Sequence, residues 1–253
     1  MSGLLEGPLS GRRALVVGGS AGIGRAVAQA WADAGADVVV CSRSEPCGAR
    51  SLRWRHLDLT DTGRARAVLA EQGAGPLHLV CYSAVHYGSG RAPFREVAEE
   101  EWRRQVEVNV TGLWLTLAAT LPALRRAAPG LLLGVSSEVA FNAGPGRSGY
   151  AASKAAAKSL LDSVAQEEDP ADVRIVQILP EGMVDTPGIR RRRPAGFDYA
   201  AYMRPEAFAQ VAVRLGVTRG SRHHGDSLVI GQDGTWWSAG DRAPRSQSRP
   251  VTT

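Results

Sequence analysis

Cysteine and long apolar runs are scarce in this chain of 253 residues. The three cysteines, Cys41, Cys47 and Cys81, are odd in number and show no Cys-x-x-Cys spacing, so neither a disulfide framework nor a metal site is predicted. No apolar run approaches the roughly 18 residues that a membrane span needs, and residues 1–13 lack the continuous apolar stretch of a secretion signal. We therefore expect a cytoplasmic protein with no membrane partner.

Lysine is also rare, because only Lys154 and Lys158 are lysines among 30 basic residues. The formal charge is +5, and the excess is concentrated in four consecutive arginines at 190–193 and in the terminal residues 241–253. A nucleic-acid interface needs positive charge spread over one face, and no predicted helix carries a basic stripe with interleaved aromatics. No nucleic-acid partner is expected.

The apolar segments of the chain alternate between two periods. Short apolar runs typical of strands lie at 14–17, 37–41, 52–57, 77–82, 131–135, 173–179 and 227–230, and helical segments lie at 25–34, 63–72, 99–126, 150–168 and 205–215. This alternation predicts an α/β, Rossmann-type doubly wound fold, with about seven parallel strands and helices on both faces. Without a linker, the chain is predicted to be one dinucleotide-binding domain over 1–253, with flexible ends at 1–10 and 241–253.

A glycine turn follows the first predicted strand. Gly18, Gly22 and Gly24 have the spacing that lets backbone N–H groups approach a pyrophosphate at a helix N-terminus, and Ser20 and Ile23 lie within the same turn. The pattern alone is a weak signal in a chain with 29 glycines, and a tight packing turn without a ligand is the alternative. Its position between strand and helix favours a cofactor.

The end of the second predicted strand bears on cofactor choice. It is followed by Ser42 and Arg43, with no acid before Glu45. An arginine there pairs with a 2′-phosphate, whereas an acid accepts from a ribose hydroxyl, so NADPH/NADP+ is favoured over NAD(H). Asp58, after the third strand, is placed to meet the adenine.

Tyr150 and Lys154 lie four residues apart at the start of a predicted helix, so their side chains share one face. An adjacent ammonium is expected to lower the pKa of a phenol and suit it to acid–base catalysis. Ser137, after the fifth strand, could hydrogen-bond a substrate oxygen, and Asn109 could hold a water that reaches Lys154. Singly, Ser137 could be a turn former and Asn109 a satisfied polar residue; the joint arrangement points to catalysis.

Taken together, these motifs resemble the short-chain dehydrogenase/reductase family over residues 10–235. The resemblance implies hydride transfer between nicotinamide C4 and a carbonyl or alcohol carbon, with reduction as the direction. It assigns proton exchange to Tyr150, substrate binding to Ser137, ribose binding to Lys154 and a proton-relay water to Asn109. Thr186 matches the family's carboxamide-binding threonine. The family is also commonly oligomeric, so a homotetramer or homodimer is expected.

Four positions depart from the family pattern. The family's Asn-Asn-Ala-Gly after the fourth strand is replaced by Tyr82, Ser83, Ala84 and Val85, and Val17 replaces a threonine. Ser83 and Ala84 are still expected to contact the cofactor, while Val85 could narrow its groove.

Two acids, Glu138 and Glu181, are expected near the reacting centre, either as solvated rim charges or as groups for other proton chemistry. If these acids carry out other proton chemistry, the protein could be a dehydratase, cyclase or epimerase with the same fold. A cofactor-sensing regulatory protein is a further alternative, which the intact Ser-Tyr-Lys set disfavours.

The segment 183–204 is predicted to be a mobile substrate loop. Its arginines, with Arg125 and Arg126 expected nearby, would suit a phosphorylated or carrier-protein-tethered substrate, although a solvated loop without a partner is equally compatible. A bulky, aromatic or polyketide-type small-molecule substrate is favoured because seven aromatics are expected around the pocket: Tyr87, Phe141, Phe197, Tyr199, Tyr202, Trp236 and Trp237.

Overall fold

A single eight-stranded sheet forms the centre of the computed structural model, which describes residues 7–48 and 51–240. The strand order is β3-β2-β1-β4-β5-β6-β7-β8. The strands are β1 (Arg13–Val17), β2 (Asp37–Ser42), β3 (Arg53–His56), β4 (Leu79–Tyr82), β5 (Gly130–Val135), β6 (Val173–Pro180), β7 (Ser227–Ile230) and β8 (Trp236–Ser238). Strands β1 to β7 are parallel, and β8 pairs antiparallel with β7. The predicted parallel, doubly wound fold is confirmed, and β8 is an edge strand that the sequence analysis missed.

Helices cover both faces of the sheet. They are α1 (Gly22–Asp33), α2 (Thr62–Gln72), α3 (Glu99–Val106), α4 (Gly112–Arg125), α5 (Val139–Asn142), α6 (Ser148–Glu167), α7 (Pro187–Arg190) and α8 (Ala209–Thr218). One apolar core packs α1 and α8 on the sheet around Trp31 and Phe208, and a second packs α2, α4 and α6 around Leu69 and Leu161. Burial of both faces explains the nearly continuous apolar sequence of the central strands. No described helix has the length and apolarity to cross a membrane.

The long helix predicted over 99–126 is interrupted. Between α3 and α4, residues Glu107–Thr111 form a π-helical turn, so the chain stays helical while one turn is widened. Such turns are often found at functional sites. This turn contains Asn109, one of the predicted site residues.

The chain ends fall partly outside the described residues, where 1–6 and the predicted flexible tail 241–253 lie. Residues 7–10, expected to be flexible, instead pack on the first core through the buried side chain of Leu9. The Leu9 N–H also donates to the Ala34 carbonyl oxygen at 2.8 Å.

The strand order reverses between β1 and β4, because the chain crosses from the β3 edge to the other side of β1. In open parallel sheets, a crevice forms at the carboxyl ends of the strands at such a reversal, and ligands bind there. The predicted glycine turn follows β1, and the altered segment 82–85 lies at the end of β4. The fold therefore places both of them at the same crevice.

Candidate active site

A cavity of about 380 Å³ opens at the carboxyl ends of the strands. Twelve of the predicted site residues line it: Gly18, Ser20, Gly22, Ile23, Arg43, Asp58, Ser83, Ala84, Ser137, Tyr150, Lys154 and Thr186. Two predicted residues do not line the cavity: Gly24 lies in the first turn of α1, and Asn109 is buried. The cofactor motif and the catalytic motif, more than a hundred residues apart, thus share one cavity.

The glycine turn is packed tightly against the segments that follow β4 and β6. Gly18 has a φ of +85°, and a Cβ there would collide with the backbone of Ala84. Gly22 has a φ of +59°, and its added Cβ would lie 2.9 Å from Cγ2 of Thr186. The glycines are therefore required by backbone conformation and close approach, and the turn is framed by Ala84 and Thr186.

The N-terminus of α1 fits a dinucleotide pyrophosphate. Its N-cap residue, Ala21, provides no side-chain cap, and no acidic side chain lies in the first turn. The first N–H groups of a helix lack partners within the helix and attract anions. The turn Gly18–Ile23 faces the cavity with these groups uncapped, so the residues present fit the cofactor.

At the far end of the groove, Arg43 follows β2 and Asp58 follows β3. The backbone N–H of Thr60 donates to Asp58 at 3.0 Å and holds the pKa of that carboxyl below its usual range, with Arg43 adding to the effect. The exposed Arg43 makes no ion pair within the described residues. A guanidinium and an ionised carboxylate thus lie where the adenosine was expected.

Ser137, Tyr150 and Lys154 come together in the cavity beyond the glycine turn. Ser137 follows β5, and α6 begins just before Tyr150, so β5 and α6 bring the two side chains to the same wall of the cavity. The buried ammonium of Lys154 lies one turn further along α6 and donates to the carbonyl oxygen of Val135 at 2.8 Å. The structure thus brings these three predicted side chains together.

The phenol of Tyr150 differs electrostatically from the sequence expectation. Burial raises its pKa above its usual range, Tyr87 and Glu138 raise it further, and Ser137 and Arg192 lower it. Lys154, which was expected to lower the pKa of this phenol, is not among the causes of the shift. Burial lowers the pKa of Lys154 itself to about 8. Tyr150 is thus a protonated phenol at neutral pH.

The side chain of Asn109 makes three hydrogen bonds to two other parts of the site. Its Oδ1 accepts from the His86 N–H at 2.7 Å, and its Nδ2 donates to the His86 carbonyl oxygen at 3.0 Å and to Ser153 Oγ at 2.9 Å. The side chain therefore ties the π-helical turn to the segment after β4 and to α6. A proton-relay water at Asn109 stays a prediction.

The two acids have different positions. Glu138 lines the cavity and accepts from Ser137 Oγ at 2.9 Å and from Arg147 at 3.2 Å. Glu181 is exposed and is not among the residues that line the cavity. Glu138 is therefore part of the site, and Glu181 is a solvated charge. No signal in the sequence analysis singled out Arg147, which lies three residues before Tyr150.

The segment 183–204 borders the cavity as predicted. It contains the short helix α7, and a bridge joins Val184 to Met203. Among the seven predicted pocket aromatics, only Tyr87 lines the cavity: Phe197, Tyr199 and Tyr202 pack on one another within the loop, Phe141 is exposed, and Trp236 and Trp237 belong to β8.

Arg125 and Arg126 are not near this loop. Arg125 pairs with Glu168, and Arg126 donates to the Gly73 carbonyl oxygen at 2.6 Å. Gly73 and Glu168 precede β4 and β6, so both arginines lie at the amino ends of the strands. The cavity lies at the opposite, carboxyl ends.

Comparison with known proteins agrees with this site. The family profile of short chain dehydrogenases matches residues 12–195. An uncharacterised NAD-dependent oxidoreductase of Mycobacterium tuberculosis is 34% identical, with 72% of this chain and 75% of that protein covered. A 2-keto-3-deoxy-L-fuconate dehydrogenase of Xanthomonas campestris is 30% identical, with 90% and 81% covered.

A solved structure extends the similarity to three dimensions. A putative NAD(P)-dependent gluconate 5-dehydrogenase from Beutenbergia cavernae, with NADP bound at low occupancy, superposes with a TM-score of 0.75 at 29% identity. The alignment covers 89% of this chain and 96% of that one. This chain belongs to the short-chain dehydrogenase family of oxidoreductases, which use a nicotinamide cofactor.

Proposed function

We propose that this protein is an NADPH-dependent reductase that converts a ketone to an alcohol, with Tyr150 as the proton donor. The observation that carries the proposal is the convergence of Ser137, Tyr150 and Lys154 on the wall of the cavity that also contains the glycine turn. Bound in this groove, the nicotinamide would supply the hydride. Gly18–Ile23 would hold its pyrophosphate, and Thr186 and Lys154 would hold the nicotinamide end.

The protonation state of Tyr150 supports reduction as the direction. Burial raises the pKa of the phenol, so its proton is in place at neutral pH. A carbonyl oxygen that becomes an alkoxide needs a proton from a donor at hydrogen-bond distance. Ser137 would hold that oxygen, and Tyr150 would donate the proton.

The choice of NADPH rests on Arg43. It lies on the cavity wall after β2, makes no ion pair within residues 7–48 and 51–240, and would pair with a 2′-phosphate. The similar proteins do not agree on the cofactor, since one relative is called NAD-dependent and a solved neighbour contains NADP. The expectation of a bulky aromatic substrate loses its main support, because six of the seven aromatics lie off the cavity wall.

Replacing Tyr150 with phenylalanine tests the proton donor. We expect Tyr150→Phe to lower the rate of ketone reduction by about 10²–10⁴-fold, the usual contribution of a positioned acid, while NADPH binding is retained. Tyr199→Phe, a tyrosine outside the cavity, is the matched control and should keep the parent rate. Unchanged turnover in Tyr150→Phe would show that the phenol is not the acid.

A dehydratase, cyclase or epimerase is the second candidate, favoured by one contact. Glu138 accepts from Ser137 at 2.9 Å, so a carboxylate lies within the catalytic hydrogen-bond network. If Glu138 removed a substrate proton, Glu138→Gln would abolish turnover and products would form without consumption of NADPH. Stoichiometric NADPH oxidation would exclude this candidate.

A further inference from the structure

The cavity wall around Tyr150 carries an excess of positive charge. Beyond the glycine turn and the adenosine end, its charged side chains other than Lys154 are five arginines and two glutamates, namely Arg91, Arg147, Arg191, Arg192, Arg193, Glu101 and Glu138. Glu138 is already paired with Arg147. A neutral ketone would gain nothing from the remaining charge, whereas an anion would be attracted to it.

The four consecutive arginines of the loop have different partners. Arg190 forms an ion pair with Asp185 at 2.6 Å, outside the cavity. Arg193 donates to the hydroxyl of Tyr202 at 2.9 and 3.0 Å, which is a neutral partner. Arg192 forms no ion pair with any described residue. The loop therefore neutralises one arginine with a carboxylate and leaves the others charged at the cavity.

Arg192 is the least satisfied of these groups. It is half-buried, and its Nε is buried without a hydrogen-bond partner among the described residues. Its guanidinium lies 5.6 Å from the centroid of the Tyr87 ring, over its face. Burial and the neighbouring Arg193 lower the pKa of Arg192, which reflects the cost of holding this charge away from water. A buried cation with a free donor is stabilised by a bound anion.

An anion bound to Arg192 would lie near the catalytic phenol, because Tyr87 contacts both residues. The ring of Tyr87 lies 5.3 Å from the ring of Tyr150, centroid to centroid, with the two planes tilted by 49°. The same Tyr87 ring contacts the Arg192 guanidinium, so one side chain touches both the unpaired cation and the proton donor. Arg147, whose Nε is also buried without a partner among the described residues, lies three residues before Tyr150.

We propose that the substrate of this site is an oxyanion, a carboxylate or a phosphate ester, whose charged group binds Arg192 a few bonds from the carbonyl that Tyr150 protonates. This rests on the proposed function and adds the substrate class. A forked guanidinium suits either oxyanion, because it donates two parallel hydrogen bonds. The contact would also set the orientation of the carbonyl towards Ser137 and Tyr150.

Matched substrate pairs test the proposal. The probes are acetoacetate with its neutral methyl ester, and dihydroxyacetone phosphate with dihydroxyacetone, each measured for kcat/KM and for direct binding by calorimetry. We expect the anionic member of at least one pair to be preferred by about tenfold to a hundredfold. Equal or weaker binding of both anions relative to their neutral partners would overturn the proposal, whether or not any probe is turned over.

Variants at the loop assign the preference to one side chain. Arg192→Gln should reduce the ratio of anionic to neutral binding to about one, and Arg192→Lys, which keeps charge without the fork, should give an intermediate ratio. Arg190→Gln, whose arginine faces Asp185, is the matched control and should keep the parent ratio. A ratio unchanged in Arg192→Gln would overturn the assignment.

A cofactor titration separates this inference from the proposed function. If Arg192 bound the cofactor's phosphates, Arg192→Gln would weaken NADPH binding and leave the substrate ratio unchanged, which would overturn the substrate assignment alone. If NADPH binds and Tyr150→Phe blocks reduction while neutral ketones are preferred, the reductase stands and the anionic substrate fails. If NADPH does not bind at all, the proposed function fails first.

Discussion

At the scale of single residues, the site owes its chemistry to burial. Tyr150 and Lys154 are both buried at the carboxyl ends of the strands. Burial raises the pKa of Tyr150 and lowers the pKa of Lys154, and both shifts favour the neutral form of the side chain. The phenol therefore keeps its proton, and the ammonium is held charged at neutral pH at a cost to stability. Function and stability oppose each other at Lys154, as is common at active sites.

The cost of Lys154 predicts a pH-dependent difference in stability. Its pKa is about 8 in the folded protein and 10.5 in its ordinary state, so between these values the unfolded chain binds more protons and stability rises with pH. Below pH 8, Lys154→Met should be more stable than the parent by about 1–3 kcal/mol, and the difference should shrink as the pH rises towards 10.5. Urea unfolding at several pH values measures it; a pH-independent difference would contradict the account.

Arg43 is the residue that decides between the two nicotinamide cofactors. Arg43→Ala should weaken NADPH binding by about tenfold to a hundredfold, because a charge-assisted pair with the 2′-phosphate is lost, and should leave NADH binding unchanged. Arg55→Ala, an exposed arginine on β3 that does not line the cavity, is the control. Equal losses for NADPH and NADH would show that Arg43 does not contact the 2′-phosphate.

At the scale of elements, the π-helical turn between α3 and α4 is the feature that links the substituted segment after β4 to the catalytic helix. The hydroxyl of Tyr82 donates to the carbonyl oxygen of Val108, and Asn109 binds both His86 and Ser153. Tyr82 stands where the family has asparagine. The Tyr82 hydroxyl lies directly over Gly112. A Cβ added to Gly112 would lie 2.6 Å from this hydroxyl and 2.8 Å from a methyl group of Leu59.

This packing predicts a coupled pair of substitutions. Gly112→Ala should destabilise the parent by about 1–3 kcal/mol through overpacking, and Tyr82→Phe by about 1–3 kcal/mol because the Val108 carbonyl loses its partner. In the double variant the hydroxyl that clashes is gone, so the combined loss should be smaller than the sum of the two. A double-mutant cycle of unfolding free energies measures this, and simple additivity would contradict the proposed contact.

The elements also show what sequence reasoning reaches. Strand and helix positions follow from local periodicity, and the spacing of Tyr150 and Lys154 follows from one helical turn. The π-helical turn at Glu107–Thr111 is defined by backbone hydrogen bonds five residues apart, which the residue types there do not encode. Strand β8 is only three residues long, and Trp236 and Trp237 resemble loop aromatics until β7 provides their pairing partner.

At the scale of the whole molecule, the sheet determines which charges matter. The pattern of charge gave no way to tell Arg125, which ends α4 at the amino ends of the strands, from Arg192, which reaches the carboxyl ends. Only the direction of the strands assigns the two arginines to opposite sides of the sheet. The partners of individual arginines, such as Asp185 for Arg190, depend on loop geometry that no local pattern encodes. The expected homotetramer or homodimer and the cytoplasmic location stay predictions.

Titration of the protein with NADPH and NADH, followed by nicotinamide fluorescence, shows whether this protein is a reductase that uses NADPH. We expect saturable binding of both cofactors, with NADPH bound more tightly by about tenfold or more. Tighter binding of NADH would contradict the role of Arg43. Binding of neither cofactor would contradict the proposed reductase itself.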